Sequence, residues 1–465
     1  MIKPPGPRGR EVLGFFGVKY APHTLGYLEQ TARRYGPISY FKLIRQHTYL
    51  LNDADLIKEV LITQQHCFGR DFGATILREL VGDGLITREE PLHRERRRVL
   101  QPAFHREQIA SYVDIIADES SRALDSWNGH ASVNIGDEMR ELTLSIIGSS
   151  LFGAEFRDSA RAISDVIQRV IKRTRHIVAI ATVLKPLIRS YRRKFPQTRS
   201  LFFPDERREL HRILQPLIAR RQRSGTKDVL SLLLTQQDLA DGSLSDEDVR
   251  NETVTFVLAG HETTATALTW ACYLLSTHPA PQERLAEEAQ SVLGDRAPTM
   301  EDVPRLSYAS AVFNEALRLF PPVGVFGRRV LQSMSLGGYD IPQGATVLLS
   351  PYIIQRNSRY FENPHAFVPE RWLNNAPPKF SFFPFGGGAK MCIGEPLART
   401  EGVLILAEIF RRFQLLRTTH REIGINPRVT IRPDQAVILA LQPRKTNVAS
   451  QFNILSLPKE ITALN

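Results

Sequence analysis

The chain has 465 residues, 42% of them hydrophobic, and a formal charge of +11. That length readily buries a large core, and the three widely spaced cysteines, Cys67, Cys272 and Cys392, exclude a disulfide framework or a cysteine zinc cluster. The basic balance suits an anionic surface or an acidic partner, and no nucleic-acid-binding motif accompanies it.

The N-terminus carries the hinge-like run Pro4-Pro5-Gly6-Pro7 with no apolar stretch before it. The expectation is a cytoplasmic chain without a signal peptide or transmembrane anchor. Pro22 to Tyr35 predicts a short helix, and the apolar runs Ile38 to Leu43 and Thr48 to Leu51 predict a hairpin turning at Arg45-Gln46-His47. Asp53 or Asp55 is a candidate cap for a helix through Ile62. The glycine-punctuated stretch Phe68 to Asp83 reads as a pocket-lining loop. Pro91 to Phe104 predicts a helix in which His93 and Arg97, four residues apart, share a face suited to a carboxylate. Arg94, Arg96 and Arg98 of the same basic run are expected to point outward, toward a partner.

Helical periodicity continues from Gln108 to Gly153, broken near Asn128-Gly129. Between Ala160 and Phe203, the apolar run Ile177 to Leu184 is flanked by arginines and lysines. It is too short to span a bilayer and reads either as core or as a surface making peripheral membrane contact. Pro204 to Arg223 and Asp228 to Leu234 predict two more helices. Ser245-Asp246-Glu247-Asp248 is a helix start with Ser245 as N-cap. The helix it opens runs to about Ser276, on the order of 45 Å, and is apolar on most faces, hence buried. Its middle, Ala259-Gly260-His261-Glu262-Thr263-Thr264, is polar, and Gly260 with the threonines predicts a local opening with room for a small ligand. A His-Glu-x-x-His zinc site is excluded because Ala265 stands where the second histidine is needed.

Glu315 and Arg318 share a face of a helix from Ser307 to Phe320, and Arg371 follows in Pro369-Glu370-Arg371-Trp372. Short strands are expected at Val323 to Val330 and Ala345 to Ser350, with turns at Gly337-Gly338 and Gln343-Gly344. An irregular, proline-broken run spans Phe361 to Phe383. The glycine-rich loop Phe385 to Gly394 then leads into a helix reaching Phe413, with Cys392 at its start. Unpaired N–H groups at a helix start stabilise a thiolate, and Gly394 is free to take a positive φ. Cys392 is therefore either an anionic ligand or a buried structural cysteine. Strand runs at Val429 to Pro433 and Ala436 to Leu441 precede a tail at 443–465.

Phe385, Gly388, Cys392 and Gly394 match Phe-x-x-Gly-x-Arg-x-Cys-x-Gly, and in this the chain resembles the cytochrome P450 family, with Lys390 where the family usually has Arg or His. Further matches follow in the family's order over roughly Pro4 to Gln442: the proline hinge, His93 and Arg97 in place of Trp-x-x-x-Arg, Ala259-Gly260 with Glu262-Thr263-Thr264, Glu315 with Arg318, and Arg371. The resemblance implies one domain over 1–465, mainly α with small β-sheets: a β-rich lobe at about 36–65 plus 323–350, and an α-rich remainder. It implies haem b (iron protoporphyrin IX) between the long central helix and the cysteine-loop helix. Cys392 would be the metal ligand, with Phe385, Gly388, Lys390, Gly394 and Ala259 against the haem. His93, Arg97 and Arg329, with Arg328 as second choice, would meet the propionates. Thr263 and Glu262 would deliver protons; Val323, Val325, Phe326 and Ala259 would touch substrate; Glu315, Arg318 and Arg371 would form a buried structural triad.

The resemblance places a substrate lid within Ala160 to Phe203. The implied function is a monooxygenase that hydroxylates or epoxidises a lipophilic small molecule, fatty acid or terpenoid/carotenoid-like. It would use O2 and electrons from a ferredoxin or flavodoxin with its reductase. Two other readings stand beside it, a peroxide-driven peroxygenase of the same fold and a non-catalytic haem sensor or carrier. The intact Glu262-Thr263 pair argues against both.

Overall fold

Ser245 and Asp248 form a reciprocal capping box that starts the longest helix, Asp246–Thr277. Acids in its first turn complement the positive end of the helix dipole. The computed structural model describes residues 3–16, 24–43, 46–152, 156, 159–173, 202–221, 228–237, 244–374, 376–427 and 429–444. Along its length the central helix packs against Ile135–Phe152, Ser307–Leu319 and the cysteine helix Glu395–Arg412. It is α-helical throughout, so the opening expected at Gly260 is not a break. The local departure is smaller: the Thr263 hydroxyl donates back to the Ala259 carbonyl at 2.7 Å.

The β-rich part is a five-stranded sheet in the order Ile38–Leu43, Gln46–Leu51, Thr346–Leu349, Phe326–Val330, Phe68–Arg70. Only Gln46–Leu51 against Thr346–Leu349 is parallel. Gln46 and His47 are paired strand residues and do not form the hairpin turn expected there. Phe68 to Asp83 is also a correction, because it forms the edge strand and then a helix, Phe72–Val81, capped by Asp71. Its glycines mark close approaches instead of a loop: a Cβ on Gly69 would press on the Glu89 carboxylate, and Gly82 ends the helix at φ 71° against Asn251. Asp53, and not Asp55, caps the preceding helix.

Glu315 and Arg318 are fully buried and joined by two 2.8 Å hydrogen bonds. Every N–H of the Arg318 side chain is used, since it also reaches the carbonyls of Gln355, Pro364 and Ala366. Arg371 and Trp372 donate to the same Glu315 carboxylate, at 3.1 and 2.8 Å. The proline-broken run is thereby tied to the helix beneath it. A second buried network corrects the outward reading of Arg96. That residue is buried and faces Asp248 and Glu252 of the central helix, while Arg94 and Arg98 are exposed. The apolar run Ile177 to Leu184, most of the expected lid and the tail from residue 445 lie outside the described residues. Among the described residues no helix is long and apolar enough to cross a membrane.

Removing Glu315 strands a buried guanidinium, so Glu315→Leu is expected to cost about 3–5 kcal/mol in chemical unfolding; a loss below about 1 kcal/mol would contradict the arrangement. Glu252 gives a pH test. Burial, opposed by the Leu85 N–H and by Arg96, pushes its carboxyl up from 4.5 to about 7. The folded state then holds this proton more tightly than the unfolded chain, and stability falls as pH rises through that window. Between pH 5 and 8 the wild type should lose up to about 3 kcal/mol relative to Glu252→Gln; a constant difference would contradict the assignment.

Candidate functional site

The cysteine loop is folded by its glycines. Gly386 and Gly388 hold φ of 75° and 71°, and a Cβ on Gly388 would run into the Leu61 carbonyl. Gly394, expected at positive φ, sits at −84° as the N-cap of the cysteine helix. A Cβ there would meet the Cys392 sulfur only at an ordinary contact distance of 3.9 Å, so neither backbone nor space within the chain requires a glycine. Cys392 retains accessible surface although dense protein surrounds it, and burial is the largest influence on its thiol, pushing it up. The N–H groups of Gly394 and Glu395 and the charge of Arg97 pull it down. Arg97 also donates to the Met391 carbonyl at 2.6 Å, so it braces the loop next to the sulfur. Phe385 lies under the Arg399 guanidinium, 4.9 Å from its ring.

Beside this loop the chain gathers positive charge. Arg328 is buried, and Lys390 is only 10% exposed at its side chain. Arg70 is largely enclosed and donates to the Leu85 and Arg88 carbonyls. Burial and the neighbouring Arg328 push the Arg70 guanidinium down to about 10. Burial, then Arg70 and Arg328, push the Lys390 ammonium down. His93 is buried, 3.1 Å from Glu90, and burial followed by Arg70 pushes its imidazole down to about 4. Arg329, the first choice from sequence, points the other way: its side chain is 41% exposed and sits 3.5 Å from Glu89. Alternate residues of a strand face opposite sides, and Arg328 holds the inward position of Phe326–Val330. Arg70 was missed because its edge strand read as loop.

The third wall is the central helix. Leu258, Ala259, Gly260 and Thr263 keep partial accessibility between turns that are otherwise buried. Val323 is exposed and Val325 and Phe326 are half-buried, as suits residues lining a space. Glu262 is buried and turned to the last strands. Arg432 clamps both carboxylate oxygens, and the Thr430 hydroxyl donates at 2.9 Å. Thr430 and Arg432 were also missed as site residues, although their i, i+2 spacing on a strand run puts them on one face. His261 is buried, its ring 3.1 Å from the Thr143 hydroxyl and pushed down by burial to about 4. Among the described residues no cluster of metal-ligating side chains exists.

These residues fit a haem. Its two carboxylates match the enclosed cations Arg70, Arg328 and Lys390, whose charge burial and mutual repulsion oppose and Asp71, Glu89 and Glu90 support, and its iron matches a thiol held at a helix start. Comparison with known proteins gives the same direction. The family pattern described as Cytochrome P450 matches residues 4–439. Cyclooctatin synthase of Streptomyces melanosporofaciens is 33% identical over 85% of this chain and 87% of its own length. Cyclooctat-9-en-7-ol 5-monooxygenase of the same organism is 33% identical over 82% and 83%. Pentalenene oxygenase of Streptomyces avermitilis is 32% identical over 79% and 80%.

The two neighbouring arginines separate the structural assignment from the sequence expectation. Titration of the apoprotein with haemin should show Arg328→Ala binding at least about tenfold more weakly, one lost charge-assisted contact, with Arg329→Ala near wild type. The reverse order would contradict the placement.

Proposed function

The chain belongs to the cytochrome P450 family and is a P450 monooxygenase, a haem-iron oxidoreductase; from this we propose that it hydroxylates or epoxidises a terpenoid-class lipophilic molecule with electrons from a ferredoxin or flavodoxin. The observation that carries the site assignment is the pairing of Cys392 at a helix start with the buried cations Arg328, Lys390 and Arg70. Haem b, when bound, supplies the oxygen-activating iron. Cys392 is its thiolate ligand, with the Gly394 and Glu395 N–H groups and Arg97 holding the negative charge. Arg328, Arg70, Lys390 and His93 hold the propionates. Ala259 and Gly260 form a flat wall, and Phe385 shields the thiolate side.

Thr263 places a hydroxyl on the open face of the central helix, and Glu262 is the neighbouring acid from which protons come. Val323, Val325 and Phe326 are the apolar substrate wall, which excludes water and favours a lipophilic occupant. Between fatty acid and terpenoid, the relatives named for cyclooctatin and pentalenene favour the terpenoid. Electrons come from a separate acidic protein docking near exposed Arg94 and Arg98.

The test is reconstitution with a ferredoxin and its reductase under labelled dioxygen, using terpenoids selected by the low-spin to high-spin haem shift. The product should carry one labelled oxygen atom, and haem reduction should slow as salt rises. Thr263→Ala should lower product formed per dioxygen consumed by about tenfold or more while the spin shift persists. Faster turnover with peroxide alone, or a flat salt response, would contradict the reading.

A further inference from the structure

Beyond Thr263 the central helix carries Trp270, which is fully buried. Its indole lies flat on the Phe320 ring, with centroids 3.8 Å and planes 5° apart. Its N–H donates to the Ile431 carbonyl at 2.7 Å. The two partners belong to different parts of the site. Phe320 closes the helix Ser307–Leu319 and leads through Pro321 and Pro322 into Val323, Val325 and Phe326. Ile431 opens the second strand of the hairpin that pairs Ile425–Pro427 with Ile431–Pro433. Its neighbours Thr430 and Arg432 are the residues that clamp Glu262. Tyr273, on the next turn of the central helix, accepts from the Ile423 N–H at 3.2 Å, just before the hairpin begins.

The two parts are also fastened to each other. The Ile431 N–H donates to the Pro322 carbonyl at 2.9 Å, so both backbone groups of Ile431 have partners. Gly324 permits this approach, since a Cβ there would stand 2.4 Å from the Ile431 side chain. The Gly324 carbonyl is held in turn by the Ser350 hydroxyl at 2.7 Å. Val323 on one part and Val429 on the other are large apolar residues left exposed. Resting on the reading of Val323, Val325 and Phe326 as the substrate wall, we propose that Trp270 is a positioning residue for substrate selection, whose ring holds the wall and whose N–H holds the turn at Val429 and Thr430. A ligand large enough to touch both then meets a preformed surface. Without the indole N–H the buried Ile431 carbonyl loses a partner, and ordering the turn subtracts from the affinity of such a ligand. A ligand too small to reach the turn is indifferent.

The test uses the haem-loaded full chain and two probes that coordinate the iron through one nitrogen, imidazole and N-phenylimidazole, read by the shift of the haem absorption band. Trp270→Phe keeps a ring on Phe320 and removes the N–H donor. Imidazole should bind as it does to wild type, and N-phenylimidazole about fivefold more weakly, as one lost hydrogen bond implies. Equal changes for both probes, or none, overturn the proposal. Hydrogen exchange in the wild type decides the matter if the variant does not fold. N-phenylimidazole should slow exchange at 320–326 and 429–433 together, and imidazole in neither. Protection of one segment without the other, or of neither, overturns the coupling. Val323→Phe separates the two claims, because it narrows the wall directly. If it leaves N-phenylimidazole binding unchanged, the wall reading fails; if it weakens binding while Trp270→Phe does not, only the positioning role fails.

Discussion

The Cys392 sulfur is asked to be anionic where dense protein surrounds it, although the residue keeps accessible surface. Burial opposes the charge, and only the N–H groups of Gly394 and Glu395 and the nearby Arg97 favour it. Much of the surrounding architecture follows from that demand. The cysteine helix must be buried, and it is, along Thr400–Phe410, with other helices on several sides. The loop before it must turn sharply enough to present the sulfur, which Gly386 and Gly388 allow. The helix carrying His93 and Arg97 must lie close, and the Arg97–Met391 contact brings it there.

Charge is managed differently in each of three buried regions. In the Glu315–Arg318–Arg371 group every N–H of Arg318 and both Glu315 oxygens have partners, so it locks the helix to the irregular run that leads to the cysteine loop. In the Arg70–Arg328–Lys390 group burial and mutual repulsion push the cations down, Asp71, Glu89 and Glu90 oppose this, and a further anion would favour the charged forms. Glu262 with Arg432 is a balanced pair beside a cavity that Thr266 and Arg432 help to line. A fixed clamp, a cation cluster suited to a dianion and a closed ion pair are three uses of the same side-chain chemistry.

Features written in consecutive residues were readable before any coordinates. The capping box at Ser245, the i, i+3 pair Glu315 and Arg318, and the glycines before Cys392 each depend on local spacing. What escaped depends on which face of a strand meets the interior or on partners far along the chain. Arg328 and Arg329 differ by one residue, and strand alternation sends them to opposite sides. Arg96 looks like one more residue of a solvated basic run, yet Asp248 and Glu252, more than a hundred and fifty residues later, turn it inward. Glu262 was identified, but its clamp by Thr430 and Arg432 was not, because nothing local to either segment specifies the pairing.

The central claim is that Cys392, as thiolate, is the ligand of a haem iron. The most direct measurement is the absorption difference spectrum of the reduced, haem-loaded protein with carbon monoxide, for wild type and Cys392→Ala. The wild type should show the red-shifted band that a thiolate ligand produces, and the variant should lose it. A wild-type spectrum with the band of a nitrogen ligand, or an unchanged band in Cys392→Ala, would contradict it.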